Sequence, residues 1–201
     1  MKIKAVLFDM DGVLIDSYES WFNLFNYTLK SFGLKEVTDK EFKENVWAKD
    51  FSLVTHQYFN GKSVKEVANF YFQNFLKFKK YIKLLPGVKD VLKRLRQLKL
   101  RIAVVSNTYH NITEHLLSSV SLLRYFNIIV GGDDVKKGKP APDMIIKACN
   151  LLKIQPKEAI LIGDTIFDIM AGKKAGCFTI GLGIKGDIKI NKLKELLNII
   201  C

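Results

Sequence analysis

"VLFDMDGVLIDS", residues 6–17, places three carboxylates, Asp9, Asp11 and Asp16, directly behind a short apolar run. Carboxylates are costly to take out of water unless something pairs with them. An apolar run without polar alternation reads as a buried strand, which puts the acidic residues at its carboxyl end. The same form occurs in "KAVLFD" (4–9), "RIAVVSN" (101–107), "NIIVGG" (127–132), "AILIGD" (159–164) and, more weakly, "FTIGLG" (178–183). Helical patterns fall between these runs at 88–99, 111–123, 142–153 and 167–175. Strands alternating with helices predict a doubly wound α/β domain with five parallel strands.

Residues 17–85 break that rhythm, with helical periodicity and many aromatics but no convincing strand. "SWFNLFNYTLKSFG" ends at Gly33, a plausible helix stop, and "TDKEF" and "SVKEV" each carry the S/T-x-x-E signature of a helix start. The expected organisation is a core of residues 1–16 and 86–201 interrupted by an all-helical insertion of residues 17–85. The stripe Phe70, Tyr71, Phe72, Phe75 and Phe78 is expected to be helix-to-helix core of that insertion.

Composition narrows the class. An apolar share of 48% with 26% charged residues is that of an ordinary globular protein. No apolar run approaches the roughly 18 residues of a membrane span, so a cytoplasmic, membrane-free protein is expected. Cys149, Cys177 and Cys201 show no metal spacing and read as reduced thiols. The net charge of +12 is spread over "KFKKYIK", "KDVLKRLRQLKLR", "DDVKKGK" and "KGDIKINKLKEL" without an arginine-rich run. A solvated basic surface therefore outweighs nucleic-acid binding as its reading, and the same field would attract an anionic small molecule.

In sheets of this type ligands bind beyond the carboxyl ends of the strands. Polar groups collect there: Asp9 after the first strand, Ser106, Asn107 and Thr108 after the second, Lys139 in the loop leaving the third, Asp164 and Asp168 after the fourth. A helix cap accounts for any one of these, but not readily for all of them at one edge. Two carboxylates two residues apart in extended chain project to one side, so Asp9 and Asp11 are expected to crowd each other and, with Asp164, to demand a cation. Oxygen ligands suit Mg²⁺ better than zinc. A carboxylate beside a cation and a lysine can attack phosphorus, and a second carboxylate can carry the proton.

These residues resemble the haloacid dehalogenase superfamily, in its phosphatase branch. The family's first motif, DxD followed by G-[TV]-L, is matched by Asp9, Met10, Asp11, Gly12, Val13 and Leu14; its second by Ser106; its third by Lys139; its fourth, GDxxxD, by Asp164 and Asp168. The resemblance implies a Rossmann-like core with a helical cap, the insertion acting as a lid over the site. It implies that Asp9 is the nucleophile, Asp11 the general acid and base, and that Asp9, the Asp11 backbone carbonyl, Asp164 and Asp168 bind Mg²⁺. It further implies that Ser106 and Lys139 hold the phosphoryl group, Lys139 also restraining Asp9, and that Asn107 supports the phosphoryl or substrate contact.

Dehalogenase members lack the second Asp of the first motif, so Asp11 argues against dehalogenation. Val13 is found in the family's phosphatases and in the sugar-phosphate mutase branch related to β-phosphoglucomutase, and it leaves both open. In the cap, Lys49, beside Asp50, and His56 are read as solvent-facing rather than as holders of a second phosphate. The expected activity is Mg²⁺-dependent hydrolysis of a small phosphorylated metabolite, phosphoglycolate phosphatase-like, through an aspartyl-phosphate. The alternatives are a mutase and a non-catalytic scaffold with a basic surface. Asp16 is left outside the chemistry as a helix cap or loop contact, and a monomer and a homodimer are both open.

Overall fold

The computed structural model describes residues 3–47, 49 and 51–200. Asp50 and Cys201, named above, lie outside the described residues. The main sheet is built from β1 (Ala5–Phe8), β4 (Arg101–Val105), β5 (Ile128–Val130), β6 (Ala159–Gly163), β7 (Phe178–Leu182) and β8 (Ile188–Ile190), in the order β5-β4-β1-β6-β7-β8. Every strand pair in it is parallel. From β1 the chain builds outward through β4 and β5, then crosses to β6 and builds outward on the other side. The reversal beside β1 is where this architecture opens a crevice at the strands' carboxyl ends.

All four side chains of β1 are withdrawn from solvent. Because alternate residues face opposite sides, a strand covered on both faces must be apolar throughout, as "AVLF" is. On one face Ala5 and Leu7 join Ala103, Val105, Leu161 and the helix residues Met144, Ile145 and Ala148 in a single cluster. Those helix residues belong to α7 (Asp143–Leu151); α5 (Val88–Gln97), which packs on β4, buries Val88, Val91, Leu92 and Leu95 at helical spacing. The remaining core helices are α6 (His110–Ser119), α8 (Ile166–Ala175) and the short α9 (Leu196–Ile200).

The sheet holds six strands where the sequence pattern predicts five. The sixth, β8, lies in "KGDIKINKLKEL", a stretch read only as part of the basic surface. Its connection from β7 is only residues 183–187, and Asp187 pins the return by accepting hydrogen bonds from the backbone N–H (2.8 Å) and hydroxyl (2.7 Å) of Thr179. Lys189, exposed between Ile188 and Ile190, places a charge on an edge strand, a device that discourages edge-to-edge pairing.

The described chain divides into two compact units, residues 1–15 with 84–201 and residues 16–83. It passes between them through β2 (Ile15–Asp16) and β3 (Lys83–Leu84), which pair with each other. The second unit is helical: α1 (Tyr18–Ser31), α2 (Asp39–Asn45), α3 (Phe51–Tyr58), α4 (Val64–Asn74) and a 3₁₀ segment, Phe75–Tyr81. Thr38 and Ser63 cap α2 and α4, each side-chain oxygen accepting the N–H of the glutamate three residues on, at 3.2 Å. Asp16 is exposed and accepts the N–H of Tyr18 at 3.4 Å, at the mouth of α1.

Phe25 is the hub of this unit, with ring centroids 5.4 Å from each of Phe42, Tyr58 and Phe59. Of the predicted aromatic stripe, Tyr71 and Phe75 are buried, and Phe70 and Phe78 pack on Tyr27. Phe72 departs from it, being 39% exposed. The inward face of α4 runs through Val67, Ala68, Tyr71 and Asn74, and the residue after Tyr71 is turned about 100° away from it. Lys49 and His56 are exposed. Among the described residues, no helix is long and apolar enough to cross a membrane.

Candidate active site

Register assembles the site. Phe8 of β1 pairs with Val104 of β4 and with Ile162 of β6, which brings the ends of three strands level. The next residues outward include Asp9, Ser106 and Asp164, from segments far apart in sequence. Asp9 is fixed at this edge by its own N–H, which donates to the Ile162 carbonyl at 2.9 Å.

Lys139 enters from the loop after β5. Its ammonium is 2.7 Å from Asp9 Oδ1, 2.6 Å from Asp168 Oδ1 and 3.0 Å from the Val105 carbonyl. Its three donors thus meet three protein acceptors, and it restrains Asp9. Burial works against its charge, but Asp168 and Asp9 outweigh burial and hold its pKa above the ordinary lysine value. Asp168 also caps α8: its Oδ2 accepts from the hydroxyl (2.5 Å) and N–H (3.1 Å) of Thr165. The backbone of Gly163 comes so close that a Cβ there would stand 2.1 Å from Asp168 Cβ.

Oxygens of Asp9, Asp164 and Asp168 lie within 4.8 Å of one another. Lys139 pairs directly with two of them, Asp9 and Asp168, and acts on Asp164 only through its charge. Burial, and then the charge of Asp168, pushes Asp9 well above its ordinary value, against the opposing pull of Lys139. The same two causes push Asp164 up to about 7. Asp164 Oδ1 is buried with no hydrogen-bond partner among the described residues. A buried acceptor without a donor beside a surplus of negative charge is the arrangement a cation completes, and an all-oxygen donor set suits a hard divalent ion.

One expectation is corrected. Asp11 does act on Asp9 and Asp164 as a like charge, raising both, but its carboxylate is not part of the three-carboxylate cluster to which the expectation assigned it, and on Asp9 it ranks after Asp168, Lys139 and Asp164. The chain leaves extended geometry at Met10 and turns at Gly12, so the two-residue spacing no longer sets a common direction. The Asp11 carboxylate instead meets the Thr108 hydroxyl at 3.4 Å. It is absent from the side-chain cluster, which leaves its backbone carbonyl as the group the resemblance assigns to metal.

Ser106 is buried and its Oγ accepts the Thr108 N–H at 3.2 Å, leaving its own proton to donate. Asn107 hydrogen-bonds the backbone of Lys139 through both ends of its amide. Sequence reasoning assigned no role to Thr165 or Thr108. Thr165 carried a readable sign, the T-x-x-D spacing to Asp168; Thr108 was legible as one of the polar residues at the end of the second strand, but not as a partner of Asp11, which is 97 positions away.

A family of known enzymes matches the chain over residues 6–182, which spans every residue of the site. The chain belongs to the haloacid dehalogenase-like hydrolases. Within curated members of this family it is 30% identical to the phosphoglycolate phosphatase of Chromobacterium violaceum, over 98% of this chain and 96% of that one. It is 32% identical to a putative pyrophosphatase PpaX of Caldanaerobacter subterraneus, over 88% of this chain and 80% of that one. Among solved structures, CbbY from Rhodobacter sphaeroides in complex with phosphate superposes with a TM-score of 0.86 at 23% identity, covering 96% of each chain. That likeness carries the haloacid dehalogenase-like fold: a parallel sheet flanked by helices with a helical insertion.

Proposed function

We propose that this hydrolase is a Mg²⁺-dependent phosphatase that cleaves a small phosphorylated metabolite through an aspartyl-phosphate on Asp9. The observation that carries this reading is Lys139, seated between Asp9 and Asp168 with the unpartnered Asp164 oxygen beside them. Relatives named as phosphoglycolate phosphatase and pyrophosphatase support phosphorylated substrates.

Asp9, Asp164, Asp168 and the Asp11 carbonyl would hold Mg²⁺, which when bound offsets the charge between an anionic nucleophile and an anionic phosphoryl group. Lys139 fixes one oxygen of Asp9; the other, which takes no hydrogen bond from any described residue, attacks phosphorus. Asp11, steadied by Thr108, gives a proton to the leaving oxygen and takes one from the water that releases phosphate. Ser106 donates its hydroxyl proton to a phosphoryl oxygen. With its donors engaged by protein, Lys139 acts on the phosphoryl group mainly through its field. The helical unit, residues 16–83, corresponds to the insertion that the resemblance reads as a cap, and a metabolite of this kind fits a cytoplasmic setting.

The test is a screen of the purified chain with Mg²⁺ against phosphorylated metabolites, phosphoglycolate, pyrophosphate and hexose phosphates included, with EDTA and Asp9→Asn as controls. Phosphate release that needs both the metal and Asp9 supports the reading. Isomerisation of a hexose phosphate without hydrolysis would overturn it in favour of a mutase.

A further inference from the structure

Asn107 joins two segments that reach the site separately, the end of β4 and the loop carrying Lys139. Its Oδ1 accepts the Lys139 N–H at 2.8 Å, and its Nδ2 donates to the Lys139 carbonyl at 3.1 Å. One side chain thereby satisfies both backbone polar groups of the lysine. Two residues earlier, at the last position of β4, the Val105 carbonyl accepts from the Lys139 ammonium at 3.0 Å. The end of β4 thus grips Lys139 at its backbone and at its tip.

The surroundings are shaped to this contact. A Cβ on Gly138 would stand 2.6 Å from Asn107 Oδ1, and one on Gly132 would stand 2.3 Å from the Asn107 carbonyl oxygen. Each loop approaches Asn107 at a distance only glycine allows. The loop contact takes one of the two Nδ2 protons and one Oδ1 lone pair, and both bonds go to the backbone of Lys139.

We infer that Asn107 is a positioning residue for Lys139, setting the height at which the ammonium sits between Asp9 and Asp168. The inference rests on the phosphatase reading for its catalytic consequence, not for the contact itself. The competing role is direct contact between Asn107 and the phosphoryl group.

Asn107→Ala and Lys139→Met, alone and combined, separate the two with p-nitrophenyl phosphate and Mg²⁺. A positioning role lowers kcat about tenfold to a hundredfold in Asn107→Ala while KM stays within about threefold. In the Lys139→Met background the same change then costs less than about twofold, since the group it acts through is gone. An Asn107→Ala loss that persists in full in that background, or falls on KM, overturns the inference. A second readout needs no turnover: acetic anhydride labelling of Lys139, followed by peptide mass, should rise about threefold or more in Asn107→Ala as the loop loosens. Gly138→Ala, which presses on Asn107 Oδ1 and leaves that residue in place, should raise labelling too. Unchanged labelling in both variants overturns the inference; raised labelling in a chain without phosphatase activity keeps it and sinks the catalytic reading instead.

Discussion

Lys139 and Asp168 form an ion pair, 2.6 Å from Nζ to Oδ1, with side-chain exposures of 4% and 1%. Removing one partner from a buried pair leaves an uncompensated charge, at about 3–5 kcal/mol. Asp168→Ala leaves Lys139 its second carboxylate, Asp9, and orphans the N–H and hydroxyl of Thr165, so it should lower unfolding free energy by less than that, about 1–3 kcal/mol. Urea unfolding with and without Mg²⁺ measures it. A loss under about 1 kcal/mol would show that solvent or Asp9 alone satisfies Lys139.

The metal-free protein should lose stability as pH rises. Asp9 and Asp164 are raised in the folded chain by burial and by Asp168, Asp164 from an ordinary 3.8 to about 7. Groups raised in this way favour the folded state while protonated. The contribution is full below the unfolded value and disappears as pH climbs through the folded one. In EDTA, Tm should be lower at about pH 8 than at about pH 6, and Mg²⁺ should stabilise more at the higher pH by taking the place of the protons. A Tm in EDTA that rises across this range contradicts the cluster's electrostatics.

Gly12 has φ +76°, and a Cβ on it would stand 2.0 Å from Asp164 Oδ2. Gly12→Ala should cost about 1–2 kcal/mol of stability for the left-handed backbone and, separately, displace the Asp164 carboxylate. Gly33→Ala is the matched control, with φ +72° and nothing within 4 Å of its Cβ position. Both variants should lose stability, but only Gly12→Ala should raise the Mg²⁺ concentration needed for half-maximal activity. An equal metal requirement in both would remove Gly12 from the metal site.

What could be read from the sequence was whatever local chemistry dictates. Apolar runs such as Ala5–Phe8 declare a strand buried on both faces, and the S/T-x-x-E spacing at Thr38 and Ser63 declares helix starts. Site residues at strand ends followed, because parallel register brings those ends level. Strand β8 did not, since three residues with a central lysine resemble a polar tail until Asp187 turns the chain back onto Thr179. The direction of Asp11 also escaped, because the strand ends at Phe8 and the chain bends at Met10, so the two-residue rule of extended chain no longer applies between Asp9 and Asp11. Asn107 was legible as a site residue but not as a partner of Lys139, a contact that spans 32 positions.

Asp9 and Asp11 should be separable by pre-steady-state kinetics on p-nitrophenyl phosphate. Its leaving group departs without a proton, so on the proposed mechanism attack by Asp9 should need little from Asp11, whereas hydrolysis of an aspartyl-phosphate should need Asp11 to activate water. Asp11→Asn should release p-nitrophenol in a burst approaching one equivalent, then turn over about 10²–10⁴-fold more slowly than the native chain. With an alkyl phosphate, whose leaving oxygen requires a proton, the burst should vanish. Asp9→Asn should show neither burst nor turnover with either substrate. Thr108→Val should give a weaker version of the Asp11→Asn pattern, since it removes the hydroxyl 3.4 Å from the Asp11 carboxylate and leaves the Asp9–Lys139 pair intact. A burst from Asp9→Asn, or full turnover by Asp11→Asn on the alkyl phosphate, would reassign the nucleophile or the proton carrier.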